Sequence, residues 1–394
     1  MTTPPLRLTR LLLQDFRSHA AVGLRLSAPI VAITGENGTG KTNLLEAISL
    51  LGPGRGLRGA RNAEFGRHTP QGPLPWAVSG RFEGPHGPVD IGTGTPPEGP
   101  PEKRVLRLDG APVRSQAELA RHVAAVWLTP QMDRLFQEGA SGRRRFLDRL
   151  VWALDPGHAR EVAAHDNAMA QRNRLLAEGG RDDAWLAALE DAMARHGVAA
   201  TAARMALVAR LNAALEAGTA GAFPAARSEL SCGVARQLAE QPALAVEEAL
   251  RTQLAEGRRR DAGAGMALAG AHRCDLSLTH LPKDLPAAMC STGEQKALLV
   301  SVVLAHAALI AAARGFAPLL LLDEVAAHLD TRRREALFSA LAALPAQVFL
   351  TGTEEAVFAP LEGLAEMFRT GPDGLRREGD SGVQEAAGIP ILQG

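Results

Sequence analysis

Gly35-Glu36-Asn37-Gly38-Thr39-Gly40-Lys41-Thr42 follows the apolar run Ile30–Thr34 and precedes an amphipathic stretch from Lys41 to about Leu51. An apolar strand, a glycine-rich loop and a helix in that order match the phosphate-binding pattern G-x-x-x-x-G-K-[ST]. Glycines let backbone N–H groups curl around phosphate oxygens without a Cβ clash. The helix that starts at Lys41 aims its N-terminal dipole at the same anion. Gly35 through Thr42, with Asn43 behind them, are therefore the candidate nucleotide-binding residues. Lys41 is placed to reach the β- and γ-phosphates of ATP, and Thr42 to hold Mg²⁺.

Far down the chain, Pro318-Leu-Leu-Leu-Leu-Asp323-Glu324 is a short apolar run ending in two acids. A buried parallel strand that emits carboxylates at its C-terminal end delivers them to the phosphate site. Asp323 is the candidate Mg²⁺ ligand, acting through water, and Glu324 the group that polarises the attacking water. Ser291-Thr292-Gly293-Glu294-Gln295-Lys296 stands about 30 residues before this strand. Ser291 with Glu294 three residues on also reads as a helix capping box. Ala327-His328-Leu329-Asp330 follows the acids directly, and Thr351-Gly352-Thr353 ends the next apolar run.

The 394 residues suffice for two or three domains with a sizeable core. Lys+Arg and Asp+Glu balance at 43 each, so any nucleic-acid site must be a local patch. Only Lys41, Lys103, Lys283 and Lys296 are lysines, and the other basic residues are arginines. Cys232, Cys274 and Cys290 are the only cysteines and form no C-x-x-C pair, which reads as a reduced cytoplasmic setting. His272, Cys274, His280 and Cys290 fit no compact zinc spacing. The longest apolar stretch, Ala297 to Ala313, contains Ser301 and His306 and is short for a membrane span, so a buried helix and no membrane association are expected.

The pattern along the chain predicts strands at Leu6–Phe16, Val22–Leu26 and Ile30–Thr34, then a helix ended by Gly52-Pro-Gly-Arg-Gly. Residues 72 to 101 are rich in Pro and Gly and predict turns and antiparallel strands, continued by Arg104–Leu108 with a turn at Asp109-Gly110. Residues 141 to 257 are mostly Ala, Leu, Arg and Glu, a helical insert broken near Gly179-Gly180 and Gly218–Pro224, with no heptad long enough for an extended coiled coil. Leu319–Leu322 and Gln347–Thr351 predict strands, and Thr331–Leu344 a helix.

Taken together, these segments resemble the RecF family of bacterial recombination-repair ATPases, short relatives of SMC proteins within the ABC-type ATPases. The resemblance is carried by Leu13-Gln-Asp-Phe-Arg17-Ser-His19, the loop from Gly35 to Asn43, Leu128-Thr-Pro-Gln-Met-Asp133 and Arg143-Arg-Arg-Phe-Leu-Asp148. Gly270-Ala-His-Arg-Cys-Asp275, the Ser291 loop and Leu322-Asp-Glu-Val-Ala-Ala-His-Leu-Asp330 complete it. It implies an α/β fold: an ABC-type P-loop ATPase head, a mixed sheet with flanking helices, plus an inserted α-helical lobe. The expected division is 1–130, the N-terminal part of the ATPase lobe; 131–267, the helical lobe; and 268–394, the C-terminal ATPase part. Cys274 departs from the polar residue usual in the family, and Gln131 stands where an acid is common, although Gln also serves there as an Mg²⁺-sensing residue.

The resemblance further implies that two protomers sandwich two ATP molecules. Gly38, Gly40, Lys41, Thr42, Asp323 and Glu324 of one would face Ser291 and Gly293 of the other. Arg17 would approach the α-phosphate or adenine, and Ser291 would touch the γ-phosphate in trans. ATP then acts as a dimerising ligand, and a weak DNA-stimulated ATPase clamps and releases double-stranded or gapped DNA, working with RecR, RecO and RecA. Arg55, Arg58 and Arg61, with the triple-Arg runs at 143–145, 258–260 and 332–334, are candidate DNA contacts or simply solvated faces. With 11 Phe, 4 Trp and no Tyr, a base-stacking single-strand platform is poorly supported. A membrane-transporter ATPase subunit would place His at the Thr351–Thr353 position, and a small-molecule kinase would not need Ser291.

Overall fold

Ile30–Thr34, Leu319–Leu322 and Val348–Gly352 are buried at every residue, as strands covered on both faces must be. They sit in a computed structural model that describes residues 5–96, 100, 102–179, 182–327, 329–371 and 374–378. Gly180 and His328, singled out above, lie outside the described residues.

The chain opens with strands β1 (Arg7–Phe16), β2 (His19–Arg25) and β3 (Ile30–Thr34), then helix α1 (Lys41–Leu50). Strands β4 (His68–Thr69), β5 (Gly72–Pro73), β6 (Ala77–Gly84), β7 (Gly87–Gly94), β8 (Val105–Leu108) and β9 (Ala111–Pro112) follow, then α2 (Gln116–Ala120) and β10 (Ala125–Leu128). A helical stretch comprises α3 (Ala140–Leu154), α4 (His158–Ala177) and α5 (Asp183–Glu216), then β11 (Ala226–Ser231) and α6 (Gly233–Glu240), α7 (Ala243–Glu256) and α8 (Arg258–Ala264). The remainder is β12 (Asp275–His280), β13 (Leu285–Pro286), α9 (Thr292–Arg314), β14 (Leu319–Leu322), α10 (Thr331–Ala343), β15 (Val348–Gly352), β16 (Ala365–Gly371) and β17 (Gly374–Arg377).

These elements form two compact units: residues 1–132, 220–223 and 303–394, and residues 133–219 and 224–302. The first unit holds two six-stranded sheets. One is antiparallel, in the order β2-β1-β6-β7-β8-β9; the other runs β10-β14-β15-β3-β16-β17, parallel except for β17. The expected strands and α1 stand within three residues of their predicted bounds, the largest difference being β2, which begins at His19 rather than Val22. Not foreseen were β10, an apolar run that continues the helix-like stretch from Ser115, and β16 and β17, whose apolar residues are interspersed with charge.

A buried side chain knits the two sheets together. Gln347, 1% exposed, accepts the Leu8 N–H at 2.7 Å and donates to the Leu8 carbonyl at 3.1 Å. An amide that gives and takes with one residue mimics a strand neighbour, so β1 and the start of β15 are coupled without a backbone ladder between them. Replacing the carboxamide with an isosteric apolar group leaves two buried main-chain groups of Leu8 unpaired.

The second unit is built on the antiparallel contact of α4 with α5, against which α7 also packs. Its core includes Met193, Val198, Val246, Leu250 and Leu254. Arg172 is fully buried there and donates to Glu190 at 3.0 Å, Asp261 at 2.8 Å and the Leu254 carbonyl at 2.7 Å. This unit differs from the helical insert expected at 131–267. Directly after the expected break at Gly218–Pro224 comes β11, not foreseen from the sequence, which pairs in register with β12 from Ala226↔His280 to Ser231↔Asp275. That pairing draws residues 268–302, the Ser291 loop included, into the same unit as the helices. The second boundary falls inside α9, whose apolar run is the buried helix expected from the sequence: Leu298, Ser301, Ala305 and His306 are all inaccessible.

Gln347→Leu is expected to destabilise the protein by about 1–3 kcal/mol, the cost of stranding buried polar groups, read as a lower urea midpoint at unchanged slope.

Candidate nucleotide site

The parallel register places β14, β15 and β3 side by side, with Leu322 opposite Leu350 and Thr351 opposite Ile33. Their C-terminal ends therefore open onto one edge, where Asp323, Glu324 and the loop from Gly35 emerge. Asp323 is the meeting point. Thr42 Oγ1 lies 3.0 Å from both of its carboxylate oxygens, and Thr351 Oγ1 donates to Oδ1 at 2.7 Å. The Glu324 N–H in turn donates to Thr351 Oγ1 at 3.0 Å. Glu324 sits at φ 50°, in the left-handed region that a non-glycine residue occupies only under constraint. Its carboxylate oxygen stands 3.5 Å from the Lys41 ammonium.

Lys41 is buried and folded back onto its own loop, donating to the Gly35 carbonyl at 2.7 Å and the Glu36 carbonyl at 3.0 Å. Gly40, at φ 97°, is the N-cap of α1, and a Cβ there would meet Ser18 Oγ and His19 Nε2 within 2.7 Å. Only glycine allows this approach of the first hairpin to the loop. His19 Nε2 contacts the Gly40 carbonyl at 3.1 Å. Burial holds His19 below its ordinary pKa, so the ring is neutral near pH 7, and a carbonyl can only accept, so Nε2 carries the proton. Thr39 Oγ1 is 2.5 Å from Thr370 Oγ1, and Asn43 donates to Ser18 at 2.9 Å. A cavity of about 250 Å³ lies beside the loop, lined by Thr34, Gly35, Glu36, Thr39, Arg369 and Thr370 among others.

Thr42 and Asp323 present hard oxygen donors to one point, the donor set that suits Mg²⁺. Gln131 is exposed in the short turn Pro130–Arg134 that follows β10. Arg17 is engaged elsewhere than the sequence suggested. Its guanidinium is bidentate on Glu46, at 2.8 and 3.1 Å, donates to the Glu64 carbonyl at 2.7 Å, and lies over the Phe65 ring. Glu46, wholly buried, also accepts from Arg58 at 2.7 Å. Both cations are thus anchored to the helix that follows the phosphate loop.

In the second unit, Ser291 stands directly before α9. Its N–H and its hydroxyl both donate to Glu294 Oε2, at 3.0 and 2.9 Å. Lys283 donates to the other oxygen of Glu294. Gly293 lies in the first turn of α9, and Lys296, buried within it, pairs with Asp133 at 3.6 Å.

A family model described as an AAA domain matches residues 10–71. The DNA replication and repair protein RecF of Mesorhizobium japonicum is 50% identical over 361 residues, 91% of this chain and 94% of that protein. The chain belongs to the RecF family. A solved structure of the recombination mediator protein RecF-ATPrS in the RecFOR pathway shares the fold, with TM-score 0.82, 22% identity, and 96% of this chain and 99% of that one covered. An SMC head bound to the C-terminal winged-helix domain of ScpA is a more distant likeness, with TM-score 0.53, 15% identity, and 94% and 97% covered. The fold is thus that of RecF and of SMC head domains.

Two RecF-like motifs turn out to bond one another. Arg143 grips Asp275 bidentately at 2.7 Å, Arg144 donates to the Cys274 carbonyl at 2.9 Å, and Arg204 joins Asp148 to the Ala271 carbonyl. Arg143, Arg144 and, through Glu190, Arg258 therefore serve the architecture of the second unit. Arg145, Arg259, Arg260 and Arg332 remain exposed. Cys232 and Cys274 are brought side by side, with Cα atoms 4.6 Å apart. Their separation of 42 residues hides the pairing from spacing rules. Sequence reasoning also missed three residues. Thr351 was noted only as the place where a transporter would carry His. Glu46 reads as an ordinary helix residue. Arg104, which donates to the Leu50 and Gly54 carbonyls at the C-terminal end of α1, lies in a strand-like stretch. Burial lowers the Arg104 guanidinium to about 10, still charged at neutral pH and suited to a helix C-terminus.

Thr351→Val removes the hydroxyl shared by Asp323 and Glu324. ATP turnover is expected to fall about 10²-fold, while ATP affinity changes by less than about tenfold. Single-turnover hydrolysis and equilibrium binding of a fluorescent ATP analogue separate the two quantities.

Proposed function

We propose that the protein is an ATP-driven DNA clamp of recombinational repair. The observation that carries this reading is the convergence of Lys41, Thr42, Asp323, Thr351 and Glu324 at one sheet edge in a chain of the RecF family. The phosphates of ATP sit in the loop from Gly35 to Asn43, and Lys41 leaves its carbonyl partners for their oxygens. Thr42 and Asp323 would hold Mg²⁺, which when bound would supply neutralisation of phosphate charge, and Gln131 would sense it from its turn. Glu324 orients and deprotonates the water that attacks the γ-phosphorus, giving ADP and phosphate.

ATP brings two copies together, each offering Ser291 and Gly293 at the N-terminus of its α9 to the other's γ-phosphate. Nucleotide occupancy and dimer stability are then linked. The dimer grips double-stranded or gapped DNA through phosphate contacts from exposed arginines such as Arg55, Arg61 and Arg145, which suits a chain of zero net charge that needs two modest patches joined. Hydrolysis releases the DNA. RecR and RecO are the expected partners in delivering RecA, and the cytoplasm is where such a substrate is found. Arg17 reaches a nucleotide only by leaving Glu46, so its α-phosphate role belongs to the ATP-bound state.

Fluorescence anisotropy of a labelled duplex with Glu324→Gln protein tests this reading, because that change retains ATP while slowing hydrolysis. ATP is expected to tighten binding at least about tenfold, and Ser291→Arg to abolish the gain. Duplex binding that ignores ATP would rule the clamp out for the isolated chain.

A further inference from the structure

Arginine is this chain's default cation, and lysine is used at four positions. Lys41 and Lys296 fall within recognisable motifs. Lys283 belongs to none, yet it lies against the Ser291 loop. It occupies the turn between β12 and β13, half exposed, and its ammonium bonds Glu294 Oε1. The other oxygen of that carboxylate already holds both the N–H and the hydroxyl of Ser291.

This arrangement contains a conflict. A serine hydroxyl has one proton, and while it donates to Glu294 it cannot donate to a phosphate. Glu294 also sits in the first turn of α9, where a carboxylate competes with an incoming phosphate for the same positive helix end. An acid is therefore the wrong neighbour for a polyphosphate site unless its charge is met from another direction. Lys283 meets it. Lys283 is also the leading cause, ahead of the Ser291 contacts, that holds the Glu294 carboxyl at about 2, so Glu294 is ionised at neutral pH and the conflict is real.

We propose that Lys283 is a charge-compensating positioning residue for the trans nucleotide contact. By neutralising Glu294, it lowers that carboxylate's hold on the Ser291 proton and its repulsion of the partner's γ-phosphate. The hydroxyl can then swing from Glu294 to phosphate while the Lys283–Glu294 pair stays closed. The proposal rests on the ATP-sandwich reading and assigns to that site a residue outside the signature loop. It differs from a direct phosphate contact by Lys283 in one respect: the harm done by losing Lys283 comes from Glu294 and disappears with it.

The test is a double-mutant cycle in the Glu324→Gln background, read by sedimentation velocity as the ATP concentration giving half-maximal dimer. Lys283→Met is expected to raise that concentration about tenfold or more, with the defect shrinking as salt screens the uncovered carboxylate. Adding Glu294→Gln to Lys283→Met is expected to restore the parent value, and Lys283→Arg to stay close to it. Thermal melting of Lys283→Met should match the parent, since a half-exposed ion pair contributes little to stability. If Lys283→Met/Glu294→Gln dimerises as poorly as Lys283→Met, or if Lys283→Met dimerises normally while Ser291→Arg does not, Lys283 has no such role. If the parent fails to dimerise with ATP at all, the sandwich reading fails and this proposal fails with it.

Discussion

The Asp323 carboxylate is the constraint on which the nucleotide site depends. It receives hydroxyls from Thr42, at the start of α1, and from Thr351, at the end of β15, and it leaves β14 directly. Three segments remote in sequence are thereby held to one point, while the strands behind them are fixed by a parallel ladder and wholly buried. The positive φ of Glu324 follows from the same constraint. With Asp323 held by two hydroxyls and the next N–H held by Thr351, the chain must turn sharply, and the carboxylate of Glu324 is delivered beside Lys41. Backbone strain here has a visible local cause.

The arginine-rich composition is largely architectural. Arg172, Arg204, Arg143 and Arg104 each satisfy carboxylates or carbonyl groups that burial would otherwise strand, and the planar guanidinium is suited to doing so with several bonds at once. Arg17 and Arg58 converge on Glu46 and tie the first hairpin and the segment after α1 to that helix. The lysines divide differently: Lys41 rests on carbonyl groups of its own loop, which an arriving phosphate would replace, whereas Lys283 stays closed on Glu294. Such a division explains how a chain with balanced charge can keep a stable interior and still present exposed cations to a polyanion.

The Arg143–Asp148 and Gly270–Asp275 segments show how conspicuous charged residues can serve the architecture of a unit. Their conspicuous arginines, histidine and acids look like chemistry in isolation. In the structure they are partners, joined across 132 residues by the Arg143–Asp275 pair and across 67 by Arg204 and the Ala271 carbonyl. They hold α3 and α5 to β12 and the turn before it, and so brace the unit that also carries Ser291.

The loop Gly35–Thr42 and the acid-tipped strand Leu319–Glu324 were legible in the sequence because both are local objects, specified by spacing and backbone freedom over a few residues. The mixed sheet was what the resemblance to the RecF family implied, whereas the lack of a long coiled coil was read from the pattern of residues 141–257. What the tertiary structure alone decided is the non-local pairing: Gln347 with Leu8, Thr351 with Asp323, Arg17 with Glu46, Cys232 with Cys274, and β11 with β12, which assigns the Ser291 loop to the helical unit. Each depends on which side chains meet once remote strands take their register. No property of Gln347 or Glu46 as a single residue predicts that meeting, because the free energy that selects it belongs to the partner groups left unsatisfied without it.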